Sequence, residues 1–169
     1  MSMRTHWPAR GKRFVSNAIT TLAVLACLAP VLRAQAAHSA QRPQTIRIVG
    51  TDYAFAAPDT VNAGPSAFQF VNHGAKGHEI AVVLARPGTT AAKIVATANA
   101  GLPTPRLGEA YSDGPALGAL FGAPGGSSRA TLVTSLERGR VYVIVCTFRD
   151  SPTTPQHAAL GMFHVIHVR

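Results

Sequence analysis

Short runs of alternating apolar and polar residues dominate the chain from residue 45 onward, and glycine or proline cuts most of them off. Alternation of this kind turns one side of a strand toward a core and the other toward water. Thr45-Ile46-Arg47-Ile48-Val49 predicts the first strand, with Tyr53 to Phe55 as a short extension stopped by Pro58. Thr60-Val61-Asn62 predicts a second, ended by the turn signal Ala63-Gly64-Pro65. Ser66 to Val71, with Phe68 and Phe70 on one face, predicts a third that closes at Asn72-His73-Gly74. A fourth runs from Ile80 to Leu84, entered through Gly77-His78-Glu79 and stopped by Pro87-Gly88.

The period changes over Thr89 to Ala100. Thr89 or Thr90 is placed to cap a helix, Ile94 and Val95 give it an apolar edge, and Gly101 ends it. Leu102 to Gly126 is rich in Gly, Pro and Ala and reads as a long loop with one helical turn near Ala116–Phe121. Ser128 to Leu136 predicts the next strand and Glu137-Arg138-Gly139 a turn. Arg140 to Phe148 follows, with Val141, Val143 and Val145 on one phase and Tyr142, Ile144 and Cys146 on the other. Phe163 to Val168 predicts the last strand. About seven short strands and one inserted helix predict an all-β fold, an antiparallel two-sheet sandwich of Greek-key type rather than a βαβ arrangement.

The N-terminus has a different character. Arg4, Arg10, Lys12 and Arg13 precede an apolar stretch from Phe14 to Leu32, and Ala34-Gln35-Ala36 follows. Charged, then apolar, then A-x-A is the order of a secretory signal peptide, here residues 1–36 with cleavage after Ala36 or Ala37. The apolar run is short for a bilayer span and is broken by Pro30, so an uncleaved anchor is the lesser alternative. Val24-Leu25-Ala26-Cys27 loosely resembles a lipoprotein cleavage box, but the apolar run continues past Cys27 where a polar tether is expected. Residues 37–44 form a polar leader, and 45–169 form the domain. The expected location is the periplasm or the extracellular space, without membrane insertion of the mature chain.

Charge and cysteine count change meaning once the signal is set aside. Five of the 16 Lys/Arg and none of the seven Asp/Glu lie in the first 36 residues, so the formal charge falls from +9 to +4. The remaining cations are scattered and not interleaved with aromatics, which argues against a nucleic-acid surface. The 133 residues that follow cleavage suffice for one core without disulfides, and the protein is expected to be a monomer. They hold a single cysteine, Cys146, and an unpaired cysteine in an exported protein needs a reason.

The neighbourhood of Cys146 supplies one. A ten-residue excursion, Thr147 to Gln156, leads from Cys146 to His157, and Met162 follows five positions later. A thiolate, an imidazole and a thioether on one loop between two strands match most of a trigonal His₂Cys copper site with a weak axial Met. The second histidine must come from elsewhere, and His73 and His78 are both candidates. His78 is favoured because it opens a strand whose backbone would hold its ring, whereas His73 sits at the tip of a turn. Taken singly, Cys146 and Met162 are ordinary core residues and His157 an ordinary loop residue. Their joint occurrence favours a metal, with zinc as the competitor for a thiolate and two histidines. His164 and His167, three apart in a strand, point to opposite faces and cannot share an ion there. Asp150 and the other carboxylates show no pairing that suggests acid–base catalysis, and Ser127, Ser128 and Ser151 lack the surroundings of a nucleophile.

With these residues in view the chain resembles the cupredoxins, the small blue-copper proteins. The resemblance rests on Phe70-Val71-Asn72-His73-Gly74 leading to His78, on Tyr142-Val143-Ile144-Val145-Cys146, and on His157 with Met162. It implies one type 1 copper held by His78, Cys146, His157 and Met162, no other cofactor, and one-electron transfer to a redox partner protein. The family often places Asn after the first histidine to tie the ligand loops together. Glu79 stands here instead, a departure in which a carboxylate could accept from Thr147 while its charge shifts the redox potential. An electron carrier, not an enzyme, is the leading expectation, with an apolar docking patch of Ala158, Ala159 and Leu160 around an exposed His157 edge. The alternatives are a copper storage, delivery or sensing module, and a metal-free sandwich that binds through its surface. A nitrite-reductase or multicopper-oxidase subunit would need further histidines, and within residues 45–169 only His73, His164 and His167 are spare.

Overall fold

The computed structural model describes residues 42–100 and 110–169. The signal peptide, most of the leader and Gly101 lie outside the described residues. Among the described residues, nine strands form two sheets, joined by elements that include a nine-residue helix and a 3₁₀ turn. In chain order they are β1 (Gln44–Thr51), β2 (Ala54–Ala56), β3 (Thr60–Val61), β4 (Gly64–Asn72) and β5 (His78–Leu84). Then come α1 (Ala91–Asn99), β6 (Gly118–Gly122), β7 (Leu132–Leu136), β8 (Val141–Val145), the 3₁₀ turn His157–Leu160 and β9 (Phe163–Val168). One sheet has the order β2-β1-β4-β7 and the other β3-β9-β8-β5-β6. Among the described residues, no helix is long and apolar enough to cross a membrane.

The predicted sandwich is present, and two of its pairings, β1 with β4 and β3 with β9, are parallel. Alternation works as expected in the smaller sheet. Ile46 and Ile48 of β1 and Phe68 and Phe70 of β4 are almost wholly buried against Ile80, Val82, Ile144 and Ile166 of the facing sheet. Strands β5 and β8 instead read as nearly continuous apolar runs, because both their faces are covered. Their second face, Val83, Val143 and Val145, packs under Ile94 and Ala98 of α1. The helix is capped by Thr90, whose hydroxyl accepts from the Lys93 amide at 3.2 Å.

Three predicted elements are corrected. The helical turn expected near Ala116–Phe121 is an edge strand, β6, paired antiparallel with β5. Its small residues misled the pattern. Only Leu120 and Gly122 of the five are buried, and any side chain at Gly122 would meet Phe70 and Asn72 at 2.9 Å. The extension at Tyr53–Phe55 turns back on β1 as a separate antiparallel strand, with Tyr53 at φ +66 making the reversal. The strand expected from Ser128 begins only at Leu132.

One buried side chain organises the connection from β4 to β5. Asn72 is fully buried; its amide nitrogen donates to the carbonyls of Lys76 (2.7 Å), Gly122 (3.0 Å) and Ala123 (3.1 Å). Its carbonyl oxygen accepts from the Gly74 amide at 2.9 Å. The turn that presents β5, and the end of β6, therefore share one residue. Asn72→Ala is expected to lower unfolding free energy by about 1–3 kcal/mol, since buried backbone groups lose their partners; urea titration with an unchanged slope is the check.

Candidate metal centre

The ends of three adjacent strands meet at one edge of the larger sheet. Antiparallel pairing of β5 with β8 and of β8 with β9 brings the start of β5, the end of β8 and the start of β9 together. His78 is the first residue of β5, Cys146 follows β8 directly and Met162 immediately precedes β9. Cys146 shares its phase with Tyr142 and Ile144, so it faces between the sheets.

The loop from Cys146 returns through a closed set of backbone bonds. Cys146 N–H donates to Met162 O (3.1 Å), Met162 N–H to His157 O (2.9 Å), and Ala158 N–H to Cys146 O (3.0 Å). His157 N–H donates to Phe148 O at 2.8 Å, and Gly161 at φ +103 ends the 3₁₀ turn so that the chain can enter β9. Met162 is fully buried, and its methyl lies 3.5 Å from where a side chain on Gly50 would begin.

His78, Cys146 and His157 are each at most 1% exposed, and their donor atoms lie within 4.8 Å of one another. The two Nδ1 atoms are 3.1 Å apart, with Cys146 Sγ 3.4 Å from His157 Nδ1 and 4.0 Å from His78 Nδ1. A triangle with these sides has a centre about 2.1 Å from each corner, within the range of metal–imidazole bonds and slightly short of a metal–thiolate bond. The donor set and its size therefore fit a single metal ion. Of the two upstream candidates, the fold brings His78 into the cluster and leaves His73 exposed, its amide bonded to Gly50 O at 2.8 Å. His164 lies in β9 beside Asp59, 3.2 Å away, and His167 is exposed on the other phase.

Burial pushes the Cys146 thiol up to about 11, so without a cation it stays protonated. A coordinated cation reverses that preference and removes the proton. Burial, reinforced by the nearby His78, holds His157 below the ordinary imidazole range and keeps it neutral, the form that ligates.

Glu79 makes the link that its position suggested. Its Oε1 accepts from the Thr147 amide at 3.1 Å and from the Thr147 hydroxyl. The residue after His78 is thereby tied to the residue after Cys146.

The expected docking edge is corrected. His157 is not exposed, Ala158 is buried, and of the three small or apolar residues only Leu160 stands out, at 47%. Tyr53 and Asp150 cover the ring. Tyr53 packs edge-on against His157 with centroids 5.1 Å apart and donates its hydroxyl to Asp150, whose other oxygen lies 3.3 Å from His157 Nε2. Asp52 stands in the same relation to His78, its Oδ1 3.2 Å from Nε2. The sequence pattern missed Tyr53 because it looked like part of a strand extension and gave Asp52 no role; Asp150 was seen only as an unpaired carboxylate. Phe148, two residues beyond Cys146, stacks on Phe121 of β6 with centroids 5.8 Å apart, and both rings are exposed.

No family profile and no curated protein matches the chain. Solved structures do. Dithionite-reduced auracyanin from the photosynthetic bacterium Roseiflexus castenholzii is 27% identical, covering 76% of this chain and 99% of that one at a TM-score of 0.50. Auracyanin B is 21% identical over 76% of this chain and 91% of its own, also at 0.50. Auracyanin A from Chloroflexus aurantiacus, described as a blue copper protein, is 20% identical over 76% and 100%, at 0.45. The sandwich is a cupredoxin fold.

Glu79→Ala is expected to destabilise the metal-free protein by about 1.5–3 kcal/mol, the range for hydrogen bonds to a charged acceptor, and Glu79→Gln by less. Urea unfolding in excess chelator measures both.

Proposed function

We propose that this cupredoxin-fold chain is an exported one-electron carrier holding one copper ion through His78, Cys146 and His157, with Met162 as a weak axial ligand. The observation that carries the reading is the buried triangle of two Nδ1 atoms and one thiol. Two imidazoles and a thiolate with a distant thioether are the donor set of electron-transfer copper. Copper bound there would supply a one-electron couple between Cu(I) and Cu(II).

The chain's own part is to hold the donors still. His78 is carried by a paired strand, and Cys146, His157 and Met162 are bonded to one another through the backbone. Donors fixed in this way need little rearrangement when the charge at their centre changes by one. Met162 is supported as the fourth ligand by its complete burial and by amide and carbonyl bonds to His157 and Cys146. The similar auracyanin of Roseiflexus castenholzii takes a dithionite-reduced form, in keeping with a redox role. Residues 1–36 would direct the chain across a membrane and be removed after Ala36, leaving a monomer that exchanges electrons with another redox protein in the periplasm or outside the cell.

One observation favours a second reading. His157 is only 1% exposed under Tyr53 and Asp150, which suits copper holding or delivery without rapid turnover. A slow electron self-exchange rate combined with tight copper binding would select it.

The test is the visible spectrum of residues 37–169 after one equivalent of Cu(II). An intense blue thiolate-to-copper band is expected, lost in Cys146→Ser and shifted in Met162→Leu. The melting temperature should rise with bound metal, as for any ligand that binds only the native state. A colourless protein with an unchanged melting temperature would overturn the proposal, and a colourless one stabilised by zinc would replace copper with zinc.

A further inference from the structure

Both histidines of the triangle turn Nδ1 inward, so each must find a partner for Nε2, and each finds a carboxylate. His78 Nε2 is 3.2 Å from Asp52 Oδ1 and His157 Nε2 is 3.3 Å from Asp150 Oδ1. Neither carboxylate is a chance neighbour. Asp52 also accepts from the amides of Ala75 (3.1 Å) and Lys76 (3.2 Å), inside the turn that presents His78. Asp150 is held by the Tyr53 hydroxyl. Tyr53 itself lies edge-on to both imidazoles, with centroids 6.4 Å from His78 and 5.1 Å from His157. The reversal between β1 and β2 thus delivers Asp52 to one histidine and Tyr53, with Asp150, to the other.

We propose that Asp52 and Asp150 are positioning residues for the metal, each taking the Nε2–H of one histidine, and that their charges favour the divalent ion over the monovalent one. The inference rests on the reading of His78 and His157 as Nδ1 ligands. A neutral imidazole carries one N–H, and a carboxylate on Nε2 places it there, leaving the Nδ1 lone pair for the metal. The same contact fixes the ring's orientation toward the metal, and the two carboxylates together add two negative charges close to the ion. Their attraction scales with the ion's own charge, so it strengthens Cu(II) binding more than Cu(I) binding. Tyr53 keeps Asp150 in place and keeps water from the His157 ring.

The test compares wild type with Asp52→Asn, Asp150→Asn and the corresponding Ala variants, alongside Cys146→Ser. Affinities for Cu(II) and for Cu(I) are measured separately by competition with chromophoric chelators. Side-chain ¹⁵N NMR of the zinc-loaded protein reads which ring nitrogen carries hydrogen and how fast it exchanges. Each Asn variant should lose about 10-fold to 100-fold in Cu(II) affinity, the range for removing such a partner, with a smaller loss for Cu(I). The Ala variants should also lose the slowly exchanging Nε2–H of the histidine concerned. Equal losses for both ions would reduce the carboxylates to scaffold and overturn the charge role; no loss, with Nε2–H still protected, would overturn the positioning role. Failure of the copper reading has its own signature: wild type would bind no better than Cys146→Ser, and the inference would fall with it.

Discussion

Two imidazoles and a thiol sit in the apolar end of a sandwich, at most 1% exposed. Buried polar groups without partners are costly, and this constraint shapes everything around them. Inward, the three groups can satisfy one another only in part, since a protonated thiol and two nitrogens 3.1 Å apart share few hydrogens. Outward, each imidazole is met by a carboxylate. A cation at the centre would resolve the inward problem at once. The arrangement is therefore understandable as a place prepared for positive charge.

The fold meets that constraint through strand ends. Antiparallel pairing puts the start of β5, the end of β8 and the start of β9 at one edge, and the parallel pairing of β1 with β4 brings the β1–β2 reversal to the same region. Loops emerging there are tied together by single residues. Asn72 joins the β4–β5 turn to β6, Glu79 joins β5 to the residue after Cys146, and Asp52 joins the reversal to the turn before His78. Each link runs between segments far apart in the chain. The loops hold one shape because they share partners.

Some of this was legible from pattern alone. Alternation in Thr45–Val49 and Ser66–Val71 predicted the inner faces correctly, because each strand there has one buried side. Thr90 was among the predicted caps, since capping is a local interaction. Strand β6 was not legible. Gly118-Ala119-Leu120-Phe121-Gly122 has weak strand propensity and is held in place by pairing with β5 and by the close approach of Phe70 and Asn72. The reversal at Tyr53 was missed for a related reason, because a tyrosine at positive φ is not a turn signal and is tolerated only where its surroundings hold it.

The same division runs through the site. By itself the sequence determined which candidate donor types one loop carries, because Cys146, His157 and Met162 and their spacing survive any detail of packing. It also narrowed the remaining histidine to His73 or His78, five residues apart. Which of these turns inward was decided by tertiary structure, where β5 pairs with β6 from its first residue and the Asn72 turn leaves His73 at the surface. Tertiary structure alone also closed the His157 edge and recruited Asp52, Tyr53 and Asp150. Those contacts join residues 7 to 97 positions apart. Local periodicity carries no record of such distances; only the packing of the two sheets and their loops brings the groups together.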